Sequence, residues 1–150
     1  MPARPFGIRQ RYRVGGRSRQ ALPPGQRPWE EAKLGGGTPP LRVEGGWLVL
    51  HHGVAGELEP GRVEHQPAVR YTAGAMLLDP EDVTRVVARS AEPLLEPELA
   101  DEREGVVPDV VFPTAIDRRS EHEADVYYGM ADARIGAFRL TMGRLPPPRG

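Results

Sequence analysis

Two basic side chains, Lys33 and His52, are the first candidates for chemistry in this chain. Lys33 is the only lysine among twenty basic residues, the other nineteen being arginines. His52 is the second of two consecutive histidines at the end of a short apolar run. Taken singly, each has an ordinary interpretation, a solvated loop lysine and a histidine packed in a strand. The chain contains no cysteine, which excludes thiolate chemistry and disulfides.

Length and charge limit the classes of function. A chain of 150 residues suffices for one ordinary domain and is too short for two. The net charge is -1, from 20 basic and 21 acidic residues, so no overall field favours nucleic acid or an anionic membrane. With no apolar leader and no span of membrane length, the chain is expected to be cytoplasmic.

The N-terminal segment concentrates positive charge. Residues 1–20 hold six arginines and no acid. Such an arm is able to contact the phosphates of a nucleic acid, but a solvated terminus is the more ordinary interpretation. We therefore expect residues 1–28 to be irregular, with no nucleic-acid partner.

Short strands and turns are predicted from residue 38 onward, because 18 glycines and 17 prolines suit many loops better than long helices. The predicted strands cover residues 47–52, 69–78, 85–89, 109–114, 124–130 and 134–142. Residues 55–68 are predicted as a loop, and the acidic segment 92–104 as a surface connection with room for one helical turn. Pro113 would interrupt its strand unless it lies at an edge or a bulge. The proline-rich tail 143–150 cannot join a sheet.

An internal repeat links two of these strands. Residues 50–55 and 126–131 share the order apolar residue, two ring residues, glycine, apolar residue, alanine. Two four-stranded units, at roughly 38–90 and 106–142, fit this spacing, and blades of a β-propeller are of similar length. A sandwich of short strands fits about equally well, so the pattern alone leaves both architectures open.

Four blocks of sequence, taken together and in order, resemble the mannoside phosphorylases and β-mannosidases of glycoside hydrolase family 130. The first holds a Trp-Glu pair shortly before Lys33 and a His-Gly-Val run that begins at His52; the third ends in Val-Val-Phe-Pro. The first block is residues 29–40 with 46–54, and the second is residues 71–79 with 85–89 and 93–97. The third is residues 102–113, and the fourth is residues 126–132 with 135–137.

The resemblance implies an all-β fold, part of a five-bladed β-propeller, with about two blades in residues 29–142. It also implies a sugar site in the central funnel of the propeller. Members transfer a mannosyl group to phosphate, or to water in the hydrolase branch. The implied partners are a β-mannoside oligosaccharide and inorganic phosphate as co-substrate, with no cofactor, metal or membrane.

Four residues match positions that the resemblance assigns to ligands, and a fifth candidate is added from the strand pattern. Lys33 and His52 match the phosphate-binding positions, and a lysine with an imidazolium can hold and partly neutralise an attacking phosphate. Glu104 and Asp132 match acids that line the sugar site, although alone either fits a turn equally well. Tyr128 is taken as a further sugar contact, although a strand places Tyr127 and Tyr128 on opposite faces without showing which one faces the site.

Two departures from the family pattern concern catalysis. Asp109 stands where the family usually has asparagine before Val-Val-Phe-Pro, which replaces a donor-acceptor amide by an acceptor. The family's general acid is an aspartate in an N-terminal blade, and no acid here matches it. Because the leaving oxygen needs a proton, no catalytic residue is assigned.

The favoured function is therefore that of a β-mannoside phosphorylase in an incomplete form that lacks the general acid. The alternatives are a β-mannosidase of the same family and a non-catalytic remnant. Lys33 and His52 argue against the hydrolase, because water needs no anion site. Two blades alone would leave sheet edges exposed, so a homo-oligomer is also possible.

Overall fold

The computed structural model describes residues 27–61 and 68–143. The expectations for residues 1–26 and for most of the proline-rich tail therefore lie outside the described residues. Within them the chain forms two antiparallel β-sheets, one 3₁₀ turn and one short helix. No helix in these two ranges is long and apolar enough to cross a membrane.

The first sheet has five strands, and a 3₁₀ turn at Pro28–Glu30 precedes it. The strands are β1 (Lys33–Gly36), β2 (Leu41–Val43), β3 (Gly46–Gly56), β4 (Val69–Leu78) and β5 (Val86–Arg89). They lie in the order β1-β3-β4-β5, with β2 beside the other half of β3.

Turn chemistry fixes the ends of β3. Val43 pairs with Gly46, so a two-residue connection joins β2 to β3. Gly45, the second residue of this connection, has a φ of 83°, and Gly46, the first residue of β3, has a φ of 155°; glycine adopts both values without strain. Gly56 also has positive φ, and β3 ends there.

The second sheet has three strands among the described residues, and they lie side by side in chain order. They are β6 (Val111–Arg118), β7 (Glu123–Met130) and β8 (Arg134–Thr141), and helix α1 (Ala100–Arg103) lies in the connection before them. The prediction of two four-stranded units is thus wrong in detail, since the described sheets have five and three strands. Pro113 meets the condition set for it, because the pairing of β6 with β7 shifts register between Pro113 and Ala115.

The two sheets meet where β3 and β4 approach the start of β6. The Tyr71 amide donates to the Asp109 carbonyl at 2.9 Å, and the Ala73 amide donates to the Leu95 carbonyl at 2.9 Å. Leu95 also packs against the buried core of the second sheet, which consists of Val111, Tyr128 and Met130. The all-β fold predicted from the sequence is confirmed.

Candidate functional site

Lys33 and His52 lie on the same face of the first sheet. In the antiparallel pairing of β1 with β3, Lys33 is opposite Val54 and Gly35 is opposite His52. Opposed residues share a face, as do residues two apart in one strand, so all four side-chain positions point the same way. Lys33 is exposed and His52 is buried. The face that they share is the one turned toward the second sheet.

The imidazole of His52 is held in one orientation. Its Nδ1 lies 3.1 Å from the Gly36 carbonyl oxygen. A carbonyl only accepts, so Nδ1 carries the proton in this hydrogen bond and Nε2 is the ring nitrogen left to meet a ligand. Burial, partly offset by this hydrogen bond, and the nearby charge of Lys33 lower the pKa of His52. The unliganded ring is therefore neutral near pH 7.

Two aromatic rings flank His52, one from each sheet. The Phe112 ring centroid is 4.3 Å from that of His52, and the Tyr71 centroid is 5.7 Å away. Sequence reasoning gave neither ring a role. The pairing of β3 with β4 places Tyr71 opposite Val54 and Ala73 opposite His52, which brings Tyr71 to the Lys33 face.

Asp132 reaches the same region from the turn between β7 and β8. Burial is the larger cause that raises the pKa of Tyr71, and the negative charge of Asp132 raises it further. The turn is held by a hydrogen bond from the Ala131 amide to the Val110 carbonyl at 3.0 Å. Asp109, Ala131 and Asp132 have φ of 58°, 47° and 52°, a left-handed conformation unusual for residues other than glycine. Such backbone is commonly found at binding sites.

Glu104 approaches this turn through its neighbour Gly105. A Cβ on Gly105 would stand 2.3 Å from the Ala131 carbonyl oxygen, so residue 105 and the turn are in close contact. The Val107 amide donates to the same carbonyl at 3.2 Å. The structure thus brings Lys33, His52 and Asp132 to the junction of the two sheets, whereas Glu104 is exposed and only its neighbour Gly105 is shown in contact with the turn of Asp132.

Tyr128 lies apart from these residues, and its role as a sugar contact stays a prediction. Its side chain is 4% exposed and packs in the core of the second sheet, whereas Tyr127 is exposed. The Tyr128 hydroxyl donates to Glu102 Oε1 at 2.6 Å. Burial and this hydrogen bond to a carboxylate raise the pKa of Tyr128. The hydroxyl hydrogen is therefore already engaged within the protein, which leaves only acceptor lone pairs on this oxygen.

Glu102 is a buried carboxylate within a segment that was predicted to be a surface connection. Its Oε2 accepts the backbone amides of Glu98 and Leu99 at 2.8 and 2.9 Å. Burial would raise the pKa of Glu102, but the hydrogen bonds from Tyr128 and the two amides outweigh it and lower that pKa. Glu102 therefore anchors helix α1, and through it the approach of Glu104 to the site.

In the part of the chain that the structure describes, no group of three histidine or acidic side chains is placed to hold a metal ion. The side chains near the junction of the two sheets are a cation, an imidazole, two aromatic rings and carboxylates. Such a set can bind an anion beside a hydroxyl-rich ligand.

Comparison with known proteins identifies the family to which this all-β chain belongs. The family model described as β-1,4-mannooligosaccharide phosphorylase, glycoside hydrolase family 130, matches residues 17–145. The chain belongs to this family. It is 40% identical over 114 residues to a 1,2-β-oligomannan phosphorylase of Thermoanaerobacter sp. (strain X514), covering 76% of this chain and 34% of that protein.

Other relatives show the same extent of match. A β-1,4-mannooligosaccharide phosphorylase of Ruminococcus albus is 35% identical over 118 residues, covering 77% of this chain and 32% of that protein. The structure of a β-1,2-mannobiose phosphorylase from Listeria innocua, in complex with β-1,2-mannobiose, superposes with a TM-score of 0.65 at 34% identity. The match covers 76% of this chain and 29% of that one. The chain thus spans about a third of the length of these relatives.

Proposed function

We propose that this chain carries the phosphate-binding part of a β-mannoside phosphorylase. The observation that carries the proposal is the placement of Lys33 and His52 on one face of the first sheet, with Nδ1 of His52 held by the Gly36 carbonyl. The curated relatives are phosphorylases of β-mannosides, which supports phosphate as the anion. Tyr71 and Phe112 form the walls of the site, and Asp132 and Glu104 lie on the side where a mannosyl group would be bound.

The roles of these residues follow from charge and geometry. Lys33 supplies a positive charge at the exposed end of the site, and His52 accepts a hydrogen bond from a phosphate hydroxyl or, when protonated, donates one. Bound phosphate favours the protonated imidazole, because an opposite charge within a few ångströms raises a histidine pKa. Held in this way, phosphate is oriented for attack on an anomeric carbon. The carboxylates of Asp132 and Glu104 accept hydrogen bonds from sugar hydroxyls.

The chain is proposed to bind without completing the reaction alone. No side chain among the described residues has been matched to the family's general acid, and protonation of the leaving oxygen requires one. In the same proposal the two sheets are neighbouring blades of a β-propeller. A hydrolytic activity is not favoured, since a lysine and a histidine at an anion site have no task when water is the acceptor.

Phosphate titration of the purified chain tests the assignment. We expect inorganic phosphate to shift the His52 ring signals in NMR spectra with a saturable dependence, and the Lys33→Met and His52→Gln variants to lose most of the affinity. Two matched controls are used. Arg85→Met removes an exposed cation just before β5, and His122→Gln removes an exposed histidine. Unchanged affinity in Lys33→Met would overturn the phosphate assignment.

A further inference from the structure

A buried ion pair lies on the opposite face of the first sheet from Lys33. Glu30 is fully buried, and its Oε2 accepts a hydrogen bond from Nη2 of Arg89, whose side chain is only 6% exposed. His51 Nε2 lies 3.7 Å from the same oxygen. The register places Arg89 opposite Met76 and His51 opposite Gly74, so both side chains occupy the face away from His52.

The 3₁₀ turn that carries Glu30 crosses this face from the first strand to the last. Trp29 lies directly over β3 and β4: a Cβ on Gly53 or on Gly74 would stand 2.5 or 2.4 Å from its ring. The Trp29 indole N–H donates to the Ala91 carbonyl, just beyond β5, at 3.1 Å. Glu30 then pairs with Arg89 on β5 itself. Two contacts therefore fix the turn to the far edge of the sheet.

Lys33 follows Glu30 by three residues, and in that interval the chain passes to the other face. The Ala32 amide donates to the Val54 carbonyl at 2.9 Å, and Lys33 is paired with Val54 at the start of β1. β1 has four residues and lies at the edge of the sheet, so little else holds its first residue. The position of Lys33 therefore depends on where the preceding turn is anchored.

We propose that Glu30 is a positioning residue for Lys33, acting through its ion pair with Arg89. A buried ion pair contributes little net stability compared with apolar residues of the same size, so its value here is that it specifies one placement of the turn. The groups that face Glu30 are Arg89 and His51, the charge of Arg27 acts on His51, and Lys33 is on the other side of the sheet. The consequence for phosphate affinity rests on the proposed function.

The pKa of His52 measures the position of Lys33 without any ligand. Lys33 lowers this pKa by its charge, so we expect Lys33→Met to raise it. Glu30→Gln keeps the shape of the side chain and removes its charge. Loss of a negative charge acting directly would lower the pKa of His52, whereas displacement of Lys33 would raise it. The two mechanisms thus predict shifts of opposite sign.

The experiment is an NMR pH titration of His52 in the full chain and in the Glu30→Gln, Lys33→Met and doubly substituted chains. We expect Glu30→Gln to raise the His52 pKa and to have no such effect once Lys33 is already methionine. An unchanged or lowered pKa in Glu30→Gln, with the melting temperature alone reduced, would show a purely structural role. Should Glu30→Gln not fold, Trp29→Phe, which loses the hydrogen bond to Ala91, is expected to shift the pKa in the same direction by a smaller amount.

Phosphate binding is measured on the same variants and separates the two proposals. Glu30→Gln should weaken the affinity for inorganic phosphate toward that of Lys33→Met. If the unsubstituted chain binds no phosphate, the proposed function fails, and the His52 titration still decides whether Glu30 positions Lys33.

Discussion

Gly35 lies directly beneath the imidazole of His52. A Cβ at position 35 would stand 2.3 Å from Cε1 and 2.4 Å from Nε2, closer than any side chain tolerates. The two residues are partners across β1 and β3, so the absence of a side chain on one strand makes the space for the ring on the other. The position of the His52 ring therefore depends on the glycine at position 35.

Replacing Gly35 by alanine is expected to push the His52 ring out of its position. We expect a loss of stability of about 1–3 kcal/mol, the usual cost of overpacking, together with weaker phosphate binding. Gly36→Ala is the matched control, because a Cβ there meets nothing within 4 Å. Denaturant unfolding and phosphate titration of both variants check this; equal behaviour of the two would contradict the arrangement.

Anion binding should depend on the protonation of His52. Burial, and then the charge of Lys33, lower the pKa of the free ring, and a bound anion raises it, so binding takes up a proton. Affinity is then highest below the pKa of the free ring and falls as the pH rises through the pKa of the complex. Sulfate, whose own charge is constant over this range, is the suitable probe in calorimetry. The His52→Gln variant should lose the pH dependence, and a retained dependence would point to another group.

His51 should make the fold less stable in acid. Burial, followed by the charges of Arg89, His52 and Arg27, lowers the pKa of His51 from 6.5 to about 4. The unfolded chain therefore binds a proton that the folded chain does not, and stability present near pH 7 is lost as the pH falls from about 6.5 toward 4. The expected loss is up to about 3 kcal/mol. Urea unfolding at several pH values should show this slope, which His51→Gln reduces and the exposed-site variant His122→Gln leaves in place.

Tyr128→Phe should weaken the fold and leave ligand binding intact. The substitution removes a hydrogen bond to the buried carboxylate of Glu102, at an expected cost of about 1–3 kcal/mol. Tyr127→Phe, at an exposed position on the same strand, is the control and should cost little. Chemical denaturation reports the difference. Normal stability with impaired mannoside binding in Tyr128→Phe would show that Tyr128 contacts the sugar.

The purified 150-residue chain is expected to show no phosphorolysis of β-mannosides. No acid in it has been matched to the group that protonates the leaving oxygen, and phosphate binding alone does not supply a proton. The assay is the phosphate-dependent release of mannose 1-phosphate from short β-mannosides, with a full-length relative as the positive control. Turnover within a few-fold of the control would show that another residue acts as the acid.

Much of the fold was accessible from the sequence because glycines and prolines mark the turns between its short apolar runs. The limits predicted for β4, residues 69–78, agree with the structure at both ends. β1 was missed, because Lys33 is followed by glycines that suggest a turn. It is a strand because β3 is long and offers an edge with which those glycines can pair, including the one on which the His52 ring rests.

The site was harder to predict, for reasons of register and burial. Tyr71 could not be placed beside His52, since a long loop rather than a tight turn joins β3 to β4 and leaves their register open. Alternation showed that Tyr127 and Tyr128 face opposite ways but not which one is buried. Glu102 was hidden in an acidic stretch; its burial depends on three donors that only the folded chain brings together.

The candidate site draws its walls from both sheets, with Lys33, His52 and Tyr71 from the first and Phe112 and Asp132 from the second. Any molecule held there acts as a non-covalent cross-link, because separating the sheets would first require its release. By mass action, a ligand at a hundred times its dissociation constant would add about 2.7 kcal/mol to the work of that separation. Ligand binding at the site and the association of the two sheets are therefore thermodynamically linked, so that each strengthens the other.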